Sequence, residues 1–234
     1  RLAYPCGPGL ICVADPDGSQ ASTLLALPDQ DITLLSVSPD GQYLLFSAQP
    51  DEAHRPTLAA TPDIPGVGRQ GVLYSFRLAD SALVKLAEGY TGGGLEAGST
   101  AFWLPDGRVV FIAENDQLQT AIYCIWPDGR ELTRLTELAP SPFHWQLLPS
   151  PSLERVYWRS GQVEGYTVSM REYWWSPLSG EQTQTLAWPT LETSGLGEVR
   201  ISPDGEKIAY ILHGGQMALY IAGLDGAEPR QVWA

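Results

Sequence analysis

Short apolar segments alternate with polar turns along the whole chain, and no 3.6-residue helical period is sustained, so the pattern predicts strands joined by tight turns. Four segments share one form: SVSPDGQYLLFS at 36–47, FWLPDGRVVFIA at 102–113, LLPSPSLERVYW at 147–158 and VRISPDGEKIAY at 199–210. Each has an apolar stretch, a Pro-centred turn and an alternating strand that carries an aromatic near its end. Pro presets the first central position of the turn, Asp bonds its own backbone at the second, and Gly takes the left-handed geometry that closes the hairpin. Asp40, Asp106 and Asp204 are therefore turn formers before anything else.

A second motif follows: LICVADPDGSQ ending at 20, VLYSFRLADSA at 82, AIYCIWPDGRE at 131, EYWWSPLSGEQ at 182 and ALYIAGLDGAE at 228. Cys12, Tyr74, Tyr123, Trp174 and Tyr220 occupy one position in this register, which reads as a core or blade-interface site. The turn ends at Gly18, Asp80, Gly129, Gly180 and Gly226 are spaced by 62, 49, 51 and 46 residues. Such a period fits four short strands, and a lone four-stranded sheet cannot bury both of its faces. The expected fold is all-β: a propeller of four-stranded antiparallel blades at about 1–26, 31–88, 97–137, 143–188 and 197–234, within a single propeller domain or propeller fragment.

In the last repeat Ser202, Pro203, Asp204, Gly205, Ile208, Ala209, Tyr210, Leu219, Tyr220, Asp225 and Gly226 form a pattern that resembles the TolB-type propeller repeat, a relative of the WD-repeat propellers. The likeness covers nearly the entire chain. It implies a propeller and, by the family's usual role, a periplasmic or otherwise extracytoplasmic bacterial interaction module. Departures from the pattern are Leu153 in place of the turn Gly in the fourth repeat, Asp80 in the second, and LPDGRVVF, one residue shorter than SPDGEKIAY. RLAY at 1–4 aligns with KIAY at 207–210, so the first blade is expected to lack its inner strand. An unpaired inner edge invites aggregation, so that strand is expected from elsewhere in a larger parent chain, in a ring of five to eight blades.

Composition narrows the partners. With 14 Lys and Arg against 27 Asp and Glu, the net charge is −13. No basic stripe is available for nucleic acid or for anionic lipid, and no apolar run is long enough to insert in a membrane as a helix. The 24 Gly and 19 Pro fit a chain rich in turns. Of the three cysteines, Cys6 and Cys12 flank a short Gly-Pro-Gly turn that geometry allows a disulfide to bridge, yet they read as ordinary small buried side chains. Walker, H-E-x-x-H and G-x-S-x-G motifs are absent from the sequence, and no cofactor or metal site is expected.

Two features stand outside the repeat. The 62-residue spacing exposes an insertion within 47–71, whose Asp51, Glu52 and His54 are candidate binding residues on a loop between the second and third strands of its blade. In the aromatic fourth repeat, Phe143, His144, Trp145 and Trp175 are candidate binding residues, and Trp145 and Trp175 depart from their counterparts. Phe143 and His144 precede an inner strand near the expected channel mouth, while Trp145 and Trp175 are candidates for a stacking platform, weighed against plain core packing.

Three functions are compatible with these residues. The leading one is a non-enzymatic module that binds a protein, peptide or glycan. The second is the gating propeller of a prolyl-oligopeptidase-type serine hydrolase whose catalytic domain lies elsewhere. The third is a propeller enzyme that acts on glycans with channel carboxylates.

Overall fold

The structure, a computed structural model, describes residues 1–50, 71–90, 101–114, 120–138, 143–148, 154–164, 167–179, 184–186, 196–213 and 217–233. Among these residues every regular element is a strand. The first sheet has three, β1 (Leu2–Gly7), β2 (Leu10–Ala14) and β3 (Ser22–Ala26), in that spatial order. Four further groups of four follow: β4 (Gln30–Val37) to β7 (Ala82–Tyr90) through β5 (Tyr43–Pro50) and β6 (Gly71–Arg77); β8 (Ala101–Trp103), β9 (Val109–Glu114), β10 (Thr120–Ile125) and β11 (Thr133–Glu137); β12 (Phe143–Leu148), β13 (Arg155–Glu164), β14 (Thr167–Pro177) and β15 (Gln184–Leu186); and β16 (Leu196–Ile201), β17 (Lys207–His213), β18 (Met217–Gly223) and β19 (Arg230–Trp233). Within each group, sequence neighbours pair antiparallel, and a single pair, Tyr90 with Ala113, joins the second sheet to the third. This is the arrangement of propeller blades, the first one without an inner strand.

Period-2 alternation gives every sheet two apolar faces, and four cores bury them in succession. Ile11 packs with Leu44, Phe46 and Phe76 between the first and second sheets. Leu45 and Leu73 meet Val109 and Phe111 between the second and third, Ile112 and Ile122 meet Val156 and Trp158 between the third and fourth, and Tyr157 meets Ile208 and Tyr210 between the fourth and fifth. A cross-strand ring pair recurs on the face turned to the preceding sheet. Phe46 stacks on Tyr74, Phe111 on Tyr123 and Tyr210 on Tyr220, with centroids 5.4, 5.5 and 5.5 Å apart. Such pairs add about 0.5–1.5 kcal/mol each beyond the area they bury. Trp158 pairs in register with Trp174, so the position shared by the second motif is the ring position.

The first residue of the turn motif decides the length of the turn. Ser38 N–H donates to the Tyr43 carbonyl and Ser202 N–H to that of Lys207, five residues on, whereas Leu104 N–H reaches Arg108, four on. A serine hydroxyl supports the longer loop by accepting from amides inside it: Tyr43 N–H donates to Ser38 Oγ at 2.8 Å and Lys207 N–H to Ser202 Oγ at 2.9 Å. Leu104 has no such acceptor, which accounts for the missing residue in LPDGRVVF. Where Asp80 replaces Gly, the left-handed position passes to Ser81 (φ 59°), and Arg77 clamps the Asp80 carboxylate through Nε and Nη2. Leu153 and Gly180 lie outside the described residues.

The cysteines correct the reading from sequence. Cys6 and Cys12 form a disulfide, their Cα atoms 5.7 Å apart, and Cys6 is exposed instead of buried. The Gly-Pro-Gly turn folds β1 back on β2 and lays the two residues side by side. Gly9 is indispensable to that turn: at φ +66° a Cβ there would stand 2.0 Å from the Leu27 carbonyl oxygen. Cys124 is buried as expected, and burial pushes its thiol up to about 11.

Trp158 is 1% exposed at the core between the third and fourth sheets, and Trp233 is 60% exposed on β19. Trp158→Ala is expected to cost about 3–5 kcal/mol in urea unfolding, the range for a buried aromatic truncation, and Trp233→Ala less than about 1 kcal/mol. Equal losses for the two variants would contradict the packing described.

Candidate functional site

The repeat gives the strands of each sheet two kinds of end. At one end lie the turns between first and second strands and between third and fourth strands, the turn rim. At the other, first strands begin and second strands connect to third strands, the loop rim. The turn rim is lined with aspartates whose carboxylates bond the turns they stand in. Asp40 accepts from Ser38 Oγ at 2.6 Å and from Gln42 N–H at 3.0 Å, and Asp204 accepts from Ser202 Oγ and from Glu206 N–H. Asp106 and Asp128 each accept the backbone N–H and the Nε of the arginine two residues on, at 3.1 and 2.7 Å in both turns.

These bonds have an electrostatic signature. The Ser38 hydroxyl, and after it the Gln42 amide, hold the Asp40 carboxyl below the usual carboxylate range; the Ser202 hydroxyl and Glu206 amide do the same for Asp204. The carboxylates are thus stabilised as structural anions, and their acceptor sites are turned toward backbone and neighbouring side chains. DPDGS at 15–19 follows suit, since Ser19 N–H donates to Asp17 at 2.9 Å.

Trp175 belongs to the turn rim. It stands on β14, half-buried against the core between the fourth and fifth sheets, and the Arg155 guanidinium carbon lies 4.2 Å from the centre of its ring. One ring face is therefore occupied by a cation from its own sheet. Arg155 was not among the residues singled out from sequence; the signal available was a cation opening the strand that pairs with β14.

Phe143, His144 and Trp145 begin β12, where they pair with Gln162, Gly161 and Ser160 of β13. β12 is the inner strand of the fourth sheet and starts at the loop rim. Their side chains lie outside the described residues. Asp51, Glu52 and His54 also lie outside them, but β5 ends at Pro50 and β6 begins at Gly71, so the chain leaves and re-enters the second sheet at the loop rim. The topology thus separates the candidates: the starts of β12 and of the 51–70 connection share one rim, and Trp175 is nearer the other.

No family model matches the sequence, and no curated protein matches it. Solved structures do match, at low sequence identity. TolB from Acinetobacter baumannii is similar over 96% of this chain and 48% of its own, with TM-score 0.55 and 17% identity. An oligogalacturonate lyase in complex with manganese is similar over 99% and 61%, with TM-score 0.65 and 12% identity. A puromycin-hydrolysing peptidase from Mycobacterium tuberculosis is similar over 99% and 38%, with TM-score 0.58 and 16% identity. The shared property is the propeller fold of the TolB type, and this chain spans less than two thirds of each of these longer chains.

The turn carboxylates set an acid limit. The pKa values of Asp40 and Asp204 are lower in the folded chain than in the unfolded one, so their stabilisation is fully present above about pH 4 and fades as pH falls through the folded values. Acid unfolding followed by circular dichroism should show a weaker pH dependence below about pH 4 for an Asp40→Asn/Asp204→Asn variant than for the unaltered chain. Superimposable acid transitions would remove these carboxylates from the account of turn stability.

Proposed function

We propose that this chain is a non-enzymatic, TolB-like propeller segment that binds a protein, peptide or glycan at its loop rim, outside the cytoplasm, as part of a larger architecture. The observation that carries the reading is the division of labour between the rims. Described aspartates of the turn motif bond their own turns, whereas the first strand of the aromatic fourth repeat begins, and β5 ends before the segment with Asp51, Glu52 and His54, at the other rim. Irregular connections on a rigid scaffold suit recognition. Aromatic, His and carboxylate side chains on one rim would suit a peptide, or a sugar ring stacked on Phe143 or Trp145. The Cys6–Cys12 disulfide supports an oxidising compartment, and a net charge of −13 disfavours nucleic acid.

The test is a panel of immobilised peptides and oligosaccharides read by surface plasmon resonance. A Phe143→Ala/Trp145→Ala variant should weaken any captured ligand by roughly 10-fold or more, the cost of losing a stacking contact, and Trp175→Ala should stay within about threefold. A ligand lost with Trp175 and kept by the double variant would move the site to the turn rim.

A second reading, the gating propeller of a serine hydrolase, is supported by the likeness to a puromycin-hydrolysing peptidase over 99% of this chain and 38% of that one. It requires a G-x-S-x-G nucleophile elbow in the parent coding sequence. Determining that sequence decides the matter, since a parent without a nucleophile and base leaves the binding module standing.

A further inference from the structure

Among the described residues the first sheet lacks the inner neighbour that its counterpart strands have, and the ring pair of the second, third and fifth sheets. β5, β9, β13 and β17 each have an inner neighbour, but among the described residues nothing pairs with the other edge of β1. β1 is exposed at five of its six positions. The ring pair is missing too. Tyr4 takes the place of Phe46, Phe111 and Tyr210, and the residue opposite it is Cys12, where the second, third and fifth sheets have a tyrosine. Tyr4 is 38% exposed, against 0%, 1% and 4% for its three counterparts.

At that same position the chain carries its disulfide. The β1–β2 ladder shifts register between Pro5 and Gly7, so the regular pairing is interrupted at Cys6, where the covalent bond crosses to Cys12. The cross-link therefore stands in place of a ring stack, on a sheet whose strand equivalent to β5, β9, β13 and β17 has one described neighbour instead of two. Cys6 is exposed and open to a reductant, and the third cysteine, Cys124, is buried in a distant core.

We propose that the Cys6–Cys12 disulfide is a redox-sensitive clasp: oxidised, it keeps β1 in register on β2 as an ordered, strand-accepting edge, and reduced, it lets β1 fray while the other sheets stay folded. The chemistry is thiol–disulfide exchange with a dithiol. One thiolate of the dithiol attacks Sγ of Cys6, the Cys6–Cys12 bond breaks, and the Cys12 thiolate leaves and takes a proton. The second thiol of the reductant then displaces Cys6 and closes a cyclic disulfide. Two electrons pass from the dithiol to the protein disulfide, and nothing else changes oxidation state. Because the clasp closes a short loop, its loss acts on the hairpin it spans.

Hydrogen exchange by mass spectrometry on the full chain, with and without dithiothreitol, tests this. Amides of residues 2–14 should lose roughly 10- to 100-fold of their protection on reduction, in line with a short-loop disulfide, while those of β9, β10, β17 and β18 stay unchanged. Cys6→Ser/Cys12→Tyr, which restores a ring opposite Tyr4, should show β1 protection independent of dithiothreitol. The proposal is overturned if β1 keeps its protection on reduction, if it is unprotected in the oxidised chain, or if all five sheets lose protection together.

Discussion

The whole architecture rests on one constraint: a sheet with two apolar faces is stable only when a neighbour covers each of them. Leu45, Leu73, Val110 and Ile112 are buried completely although they sit on the opposite faces of their strands from Phe46 and Phe111, which are buried as well. No single sheet manages this alone, and radial stacking does. The stacked rings Phe46–Tyr74, Phe111–Tyr123 and Tyr210–Tyr220 each project toward the preceding sheet; at the first two interfaces they meet an aliphatic face, and at the last they meet Leu148, Tyr157 and Trp175. This polarity makes the stack directional. It also ties the sheets into one succession, since Ser75, buried on the aliphatic face of the second sheet, donates its hydroxyl to the Pro127 carbonyl in a turn of the third.

At the two ends of the succession the same faces meet no described neighbour. Ala209, Ile211, Leu219 and Ile221 on the fifth sheet occupy the places of Leu45, Leu73 and their equivalents, and are only half-buried. Tyr4 and Leu2 are exposed on the first. The two ends differ in how their strands are secured. The fifth sheet has all four strands and its ring pair, and hydrogen bonds and packing suffice. The first has three strands and no ring pair among the described residues, and there a covalent bond crosses between β1 and β2. One position thus carries Tyr in three sheets and Cys in the first.

Most of the fold was legible because it is repeated. Period-2 alternation, the SPDG turn and the ring position recur at a spacing that only a small sheet fills, and strand order follows from hairpin connections. Even the shorter LPDG turn was visible, though its cause was not: the contribution of the Ser38 hydroxyl as an acceptor for Tyr43 N–H depends on backbone geometry that letters do not carry. The disulfide was misread for a related reason. Six residues of separation permit a bridge without requiring one, and the register that sets Cys12 opposite Tyr4, with Cys6 at the irregular step of the ladder, exists only once the hairpin is paired. Trp175 was ambiguous in sequence because an unusual aromatic reads equally as a platform or as packing. Its placement beside Arg155 and the core between the fourth and fifth sheets is a long-range fact.

The same logic explains why recognition is harder to read than architecture in such a chain. A residue that the stack needs is needed in each sheet, so it appears several times and announces itself. A residue that a ligand needs is needed once, at one point of a rim, and its neighbours in space come from other repeats. The turn aspartates illustrate the first kind. They look like a cluster of acids fit for catalysis or metal binding, yet each accepts bonds within its own turn, from Ser38, Gln42, Arg108, Arg130 or Glu206. The residues proposed for binding, at the start of β12 and beyond β5, break the pattern. They cost the fold no recurring element, and the topology brings both segments to the rim that the turns leave free.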